Sequence, residues 1–155
     1  MVKKSKDYIF VIIQLCFFLS YLQKVNMFYF KLPLLIKELG LFFCFIAFII
    51  ITVSLIQLNK NLSPFPSPKS GSKLITNGLY KYIRHPIYTG ILFFAVGYAL
   101  YINSFYKILI SIFLGVLFYF KSKYEETKLI EFHKDYPIYK TTTGRFLPNF
   151  CKNRV

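Results

Sequence analysis

The sequence predicts an all-α integral membrane protein with about four transmembrane helices, and three observations carry that expectation. Hydrophobic residues make up 55% of the 155 positions, and mean hydropathy is positive. They gather into long runs, and the charges punctuate those runs instead of forming a soluble face. A soluble domain of this length would have to expose too many Phe, Ile and Leu side chains. By length the chain is one domain, 1–155.

The first apolar run, Tyr8 to Leu22, follows Lys3, Lys4 and Lys6. It starts like a secretory leader, but no small-x-small cleavage site follows and the run passes through Lys24 and Asn26 into more apolar residues, so a retained helix is expected. The second run, Leu39 to Leu58, comes closest to the ~20 apolar residues that cross a bilayer. Next comes Asn61-Leu-Ser-Pro-Phe-Pro-Ser-Pro-Lys-Ser-Gly-Ser, whose prolines and small polar residues predict an extended connector. The third and fourth runs, Ile87 to Ile102 and Phe105 to Phe120, are separated by little more than Asn103-Ser104 and predict an antiparallel hairpin. A short basic tail follows. Cys16, Cys44 and Cys151 share no spacing that predicts a disulfide or a metal site, and they are expected to pack as small hydrophobes.

The formal net charge of +14 does not indicate a nucleic-acid protein, which would collect its Lys and Arg on a soluble face. Here the charges report topology. With both termini on one side, that side holds Lys3, Lys4, Lys6, Lys60, Lys69, Lys73, Lys81, Arg84 and the tail, and only Lys24, Lys31, Lys37 and Lys107 lie opposite. The positive-inside rule makes the crowded side cytoplasmic. The sequon Asn61-Leu62-Ser63 would then face away from glycosylation. The abundance of Lys, Ile, Phe and Tyr suits an AT-rich genome and a bacterial inner membrane, with an endomembrane as the eukaryotic counterpart.

Two polar clusters interrupt this pattern. Arg84-His85-Pro86-Ile87-Tyr88-Thr89-Gly90 sits at the lip of the third run, and Glu125-Glu126 lies past the end of the fourth. The hairpin brings both to the same membrane face. Ionisable groups at a membrane helix need a partner or a function. Carboxylates at a helix C-terminus oppose the macrodipole, so a purely structural Glu125-Glu126 pair would be poorly placed unless the helix continues. Lys121, Lys123 and Lys128 stand within one turn and can neutralise the pair. Tyr136 and Tyr139 read as interfacial anchors.

In order, the chain presents Gly78-Leu79-Tyr80, Arg84 to Gly90, an apolar hairpin, Glu125-Glu126-Thr127-Lys128-Leu129, then Phe132, Tyr136, Tyr139 and Arg145-Phe146-Leu147-Pro148. Over roughly residues 60 to 150 this resembles the isoprenylcysteine carboxyl methyltransferase and phospholipid methyltransferase superfamily. The resemblance implies an S-adenosyl-L-methionine site at the cytoplasmic membrane face. It places Ser72, Lys73, Leu74, Ile75 and Tyr80 on the connector lining the cofactor, and His85, Pro86, Ile87, Tyr88 and Gly90 on the stretch wrapped around it. Glu125 is implied as the acidic ligand. Arg84, His85, Tyr88 and Glu126 are the implied catalytic group, and Lys121 the substrate contact.

Those residue types suit the ligand. A carboxylate matches the cofactor's α-ammonium, the free N–H groups after Pro86 match an anion or a ring nitrogen, and Tyr80 and Tyr88 match adenine or the sulfonium. No metal is expected. The partners implied are the bilayer and a lipophilic small molecule or lipidated substrate, with oligomeric state left open.

The chain departs from the superfamily pattern at three points. Lys121 replaces an Arg, keeping charge but losing the bidentate fork. The spacing from Leu129 to Phe132 is one residue short, and His133 stands where Gly is common. The expected reaction is methyl transfer to a lipophilic acceptor, with carboxyl O-methylation of an isoprenylcysteine-like or lipid-like acid favoured over phospholipid amine N-methylation. A carboxylate needs no general base, because opposite charges vanish in its transition state. The rival classes are an NADPH-dependent membrane reductase and a non-catalytic membrane scaffold subunit.

Overall fold

A computed structural model describes residues 5–25, 31–69 and 71–149, without the side chain of Lys60; Lys3, Lys4, Asn26, Cys151 and the last basic residues lie outside the described residues. The chain forms α1 (Ser5–Leu22), α2 (Leu34–Leu58), α3 (Pro86–Tyr101), α4 (Phe105–Phe132) and α5 (Tyr136–Thr142). Three of these, α1, α2 and α4, are long and apolar enough to cross a membrane. The 16 residues of α3 are shorter, rising about 24 Å at ~1.5 Å each, and the helix starts at the lip where the polar cluster sits. The fold is an all-helical membrane fold.

Two boundaries differ from the sequence expectation. Helix α2 begins at Leu34, just after Pro33, taking in Lys37 and Glu38. Helix α4 runs on from Phe120 to Phe132 because no Gly or Pro interrupts its Lys, Glu and Leu residues. Glu125 and Glu126 therefore stand inside a helix, more than a turn from its C-terminus, where the macrodipole does not disfavour them. The short α5 was not anticipated; Pro137 occupies its first turn.

Small residues bring α2 and α3 together. Gly40, Ala47 and Ser54 recur every seven residues and are all buried on α2, facing Gly90 and Gly97, also seven apart, on α3. A Cβ at Gly97 would lie 2.5 Å from the Gly40 carbonyl oxygen, and one at Gly90 3.2 Å from that of Ala47. A seven-residue period keeps such a seam on one face, and small side chains let backbones approach where lipid supplies no hydrophobic drive. The large side chains of α2, such as Phe45, Phe48 and Ile56, point outward.

The α3–α4 hairpin turns at Asn103, whose φ of 57° is left-handed, and Ser104 Oγ caps α4 by accepting from Lys107 N at 3.4 Å. Ile110, Leu114 and Phe118 of α4 form the core against Tyr88, Ile91 and Leu92 of α3 and Phe17, Phe18 and Tyr21 of α1. Helix α1 runs antiparallel to α4, pairing Phe10 with Tyr124, Gln14 with Lys121, Phe17 with Phe113 and Ser20 with Tyr106. Lys107 Nζ reaches the Tyr21 carbonyl and sits 4.4 Å above the Tyr21 ring, placing a cation at the end of α1. Cys16 is exposed on α1, contrary to its expected packing, and Cys44 is half-buried.

The helices thus lie in the order α2, α3, α4, α1, and the connector and tail gather at the end where α3 begins and α4 finishes. The connector is held at both ends. Asn61 Nδ2 donates to Lys73 O at 2.9 Å, and Leu79 N donates to Gln57 Oε1 at 3.0 Å. Gly78 adopts φ 57° against the Gln57 side chain, a conformation and a space that exclude a Cβ. The tail then pairs with the polar cluster through a parallel bridge between Ile83 and Gly144.

Candidate functional site

Where connector, α3, α4 and tail converge, they enclose a cavity of about 340 Å³, within the size range of small-molecule sites. Of the residues singled out from sequence, Ser72, Lys73, Leu74, Ile75, Tyr80, Arg84, His85, Pro86, Ile87, Tyr88, Lys121 and Glu125 all line it. Gly90 and Glu126 do not. Gly90 is spent on the α2 contact described above, so the structure moves it from the cofactor stretch to helix packing. Glu126 lies behind the wall, ringed by cations.

Helix geometry explains the wall that α4 contributes. Lys121, Glu125, Leu129 and His133 recur at four-residue steps and share one face, toward the cavity. Opposite, the first turn of α3 presents Ile87 and Tyr88, whose N–H groups have no partner within the helix. Tyr88 Oη donates to Glu125 Oε2 at 3.0 Å, and its ring stacks between His85, 5.5 Å away, and Phe118, 4.6 Å away. His85 Nδ1 lies 3.8 Å from the same Glu125 oxygen. One carboxylate is therefore oriented by a phenol, with an imidazole beside it, while a quarter of its side chain stays open.

Lys121 closes the floor. It is 1% exposed, yet its Nζ donates to Gln14 Oε1 of α1 at 2.5 Å and to Pro64 O of the connector at 2.9 Å. An ammonium has three donors, so one is left over, and the Tyr88 ring lies 5.5 Å from it.

Glu126, 1% exposed, accepts from Arg84 Nε at 3.0 Å and from Arg145 Nε and Nη2 at 2.9 Å each; Lys140 Nζ stands 3.2 Å away and His85 Nε2 3.4 Å. The hydrogen bonds from Arg145 to Glu126 hold its guanidinium pKa above the usual value. Arg84 also donates through Nη1 to the carbonyls of Lys140 and Thr143, tying α4, the polar cluster and the tail into one knot.

Sequence reading missed several lining residues. Gln14 and Ser67 come from segments whose proximity only the fold reveals, and His133, Tyr136 and Tyr139 were assigned to no site. Tyr136 is a buried wall residue, not an interfacial anchor, and Tyr139 Oη donates to Tyr80 O at 2.5 Å. Burial raises the phenol pKa values of Tyr80, Tyr136 and Tyr139 above their ordinary range, with nearby Glu125 adding to the effect at Tyr80 and Glu126 at Tyr136.

The residues fit a polar, partly cationic, aromatic ligand such as S-adenosylmethionine. Two buried lining hydroxyls, Ser67 Oγ and Tyr136 Oη, have no hydrogen-bond partner among the described residues, and a buried polar atom without one is costly. A ligand with amine, hydroxyl and ring-nitrogen groups supplies such partners. Among the described residues no cluster of His, Cys, Asp and Glu could hold a metal ion.

A family model described as phospholipid methyltransferase matches residues 35–135. The solved structure of a eukaryotic intramembrane Ras methyltransferase, an isoprenylcysteine carboxyl methyltransferase, shares the fold with a TM-score of 0.66 at 18% identity, over 96% of this chain and 54% of that one. The chain therefore spans about half the length of that enzyme. No curated protein matches the chain. Helix α1, with Gln14, and the tail from Tyr136 onward lie outside the family match.

Proposed function

This chain belongs to the phospholipid methyltransferase family, and we propose that it transfers a methyl group from S-adenosylmethionine to a lipophilic acceptor at the cytoplasmic face of its membrane. The observation that carries the reading is Glu125, a carboxylate at the cavity wall with a quarter of its side chain open, held by the Tyr88 hydroxyl beside the His85 ring. When bound, S-adenosylmethionine supplies an electrophilic methyl on a sulfonium.

The chain's residues do the rest. Glu125 binds the ammonium of the methionine moiety. The free N–H groups of Ile87 and Tyr88 face its carboxylate. Ser67 Oγ and Tyr136 Oη meet polar groups of the adenosyl portion, and Tyr80 offers a ring face to it. Positioning of this kind lowers a barrier by several kcal/mol, ~7 at the lower end for well-oriented reactants.

Lys121, with one donor free at the floor, favours an anionic acceptor, so a lipid-like or isoprenylcysteine-like carboxylate is the first candidate. The family match favours a second, a phospholipid amine. The test is equilibrium binding of S-adenosylhomocysteine to the purified protein, with NADPH in parallel. Saturable binding of the first, lost in Glu125→Gln but kept in Glu131→Gln, supports the site. Binding of NADPH alone reassigns the chain to membrane reductases, and binding of neither removes the reading.

A further inference from the structure

Glu126 is the most heavily partnered side chain near the cavity, yet it does not line it. It carries one negative charge against three full positive ones, on Arg84, Lys140 and Arg145, and two of these come from the tail. Its cage is nearly closed, since Arg84 is 8% and Arg145 21% exposed at their side chains and Arg145 also packs 5.2 Å from the Tyr119 ring. A base or a ligand contact needs an approach route, and this carboxylate has none.

The knot holds two things. The first is the tail. Arg84 N donates to Gly144 O at 2.8 Å, His85 N to Arg145 O at 3.1 Å and Thr89 Oγ1 to Phe146 O at 2.8 Å, so the segment after α5 lies along the start of α3. That docking fixes Tyr136 and Tyr139 as cavity wall. The second is the imidazole of His85. Its Nε2 is buried, has no hydrogen-bond partner of good geometry, and faces Glu126 Oε1 at 3.4 Å, while Nδ1 faces Glu125. Carboxylates face both ring nitrogens, but Glu126 Oε1 is the nearer and is fully buried, whereas Glu125 Oε2 already accepts from Tyr88, so the imidazole proton is favoured on Nε2.

We propose that Glu126 is a positioning residue: through Arg84, Arg145 and Lys140 it holds the C-terminal segment as one wall of the ligand cavity, and through His85 Nε2 it sets the tautomer of the imidazole facing Glu125. The proposal rests on reading the cavity as a ligand site, and it reassigns Glu126 from reagent to clamp. Removing its charge leaves three neighbouring cations facing a neutral group, so the tail is pushed off the motif by the repulsion that Glu126 cancels.

The chain contains two histidines, so a His133→Asn background, used for the NMR readout alone, leaves the imidazole ¹⁵N signals to His85. Three readouts are taken on the purified full-length protein: those signals, the rate of protease cleavage between residues 133 and 149, and the affinity for S-adenosylhomocysteine. In Glu126→Gln the Nε2-protonated signature is expected to collapse toward a tautomer mixture, cleavage to accelerate, and affinity to fall about tenfold or more. In Arg145→Gln cleavage is expected to accelerate and affinity to fall while the His85 signature persists, because Arg84 still holds Glu126.

If Glu126→Gln loses affinity with tail cleavage and His85 signals unchanged, Glu126 contacts the ligand directly and the proposal is overturned. Unchanged values in all three readouts overturn it as well. Should Glu126→Gln not fold, Arg145→Gln decides alone, and wild-type cleavage in that variant rejects the clamp. Wild-type protein that binds no S-adenosylhomocysteine removes the proposed function, whereas the His85 and cleavage readouts still judge the clamp.

Discussion

The Tyr88 hydroxyl donates to Glu125 Oε2 at 3.0 Å across the gap between α3 and α4, joining the two polar clusters that a 34-residue apolar hairpin separates in sequence. The bond does more than tie two helices. It orients a carboxylate at the cavity wall that keeps a quarter of its side chain open. Phe118, stacked 4.6 Å from the Tyr88 ring, fixes the phenol from the other side.

Tyr88→Phe should keep the stack and lose only the hydroxyl. A hydrogen bond to a charged group contributes about 1.5–3 kcal/mol, and the partly open Glu125 can recruit water in compensation, so the lower end applies. The expected outcome is about tenfold weaker S-adenosylhomocysteine binding with the thermal unfolding midpoint little changed. Wild-type affinity in this variant would show that Glu125 needs no orienting partner.

Lys121 tests the acceptor. Lys121→Met deletes the cation and leaves Gln14 Oε1 and Pro64 O without their donor, while Lys121→Arg keeps the charge. With a lipophilic carboxylate as substrate, the methionine variant should lose about tenfold or more in kcat/KM and the arginine variant much less, with S-adenosylhomocysteine affinity nearly constant in both. Unimpaired turnover of a phospholipid amine by Lys121→Met would instead favour the amine reading.

How much of this was legible in the sequence follows from where each signal resides. Arg84 to Gly90 and Glu125 could be read because ionisable residues beside apolar runs stand out locally, and a two-residue hairpin leaves little choice about where they meet. The length of α4 could not, because a stretch from Lys121 to Lys128 looks the same whether it ends a membrane helix or continues it beyond the apolar span. Gln14 and Ser67 carry no local signal; only the α1–α4 register and the path of the connector bring them to the cavity. Glu126 and Glu125 are adjacent and chemically identical, yet a 100° step around α4 turns one to the cavity and the other to the tail's arginine. Gly90 was assigned with its motif, whereas the seven-residue spacing to Gly97 aligns it with α2.

That spacing gives a prediction about packing. Gly97→Leu forces side-chain atoms into the Gly40 carbonyl, so α2 must move away from α3, at a cost of about 1–3 kcal/mol by the usual scale of overpacking. Gly115→Ala is the control, since its nearest neighbour would be Leu92 at 3.8 Å, an ordinary contact. The helical signal in detergent should show a clearly lowered unfolding midpoint for the first and none for the second. Equal midpoints would mean that the α2–α3 seam contributes little to stability.

Tyr136 couples the cavity to alkaline stability. Its phenol is almost fully buried, it has no hydrogen-bond partner among the described residues, and burial raises its pKa, with Glu126 adding to the shift. Because the folded pKa exceeds the unfolded value of about 10, the folded state retains the proton longer. Above that pH the unfolded chain binds fewer protons, so stability is fully present below ~10 and falls as pH rises toward the folded value. Tyr80 and Tyr139 shift the same way and steepen the decline. Tyr136→Phe deletes a hydroxyl that is unsatisfied without ligand, so the free protein should be no less stable at neutral pH and should lose stability less steeply above ~pH 10. The same variant should bind S-adenosylhomocysteine more weakly, because the hydroxyl lines the cavity and has no partner among the described residues. Denaturation followed from pH 7 to 11, with and without S-adenosylhomocysteine, separates the two effects. If the variant is destabilised in the free state and unaffected in ligand binding, the hydroxyl serves the fold and not the cavity.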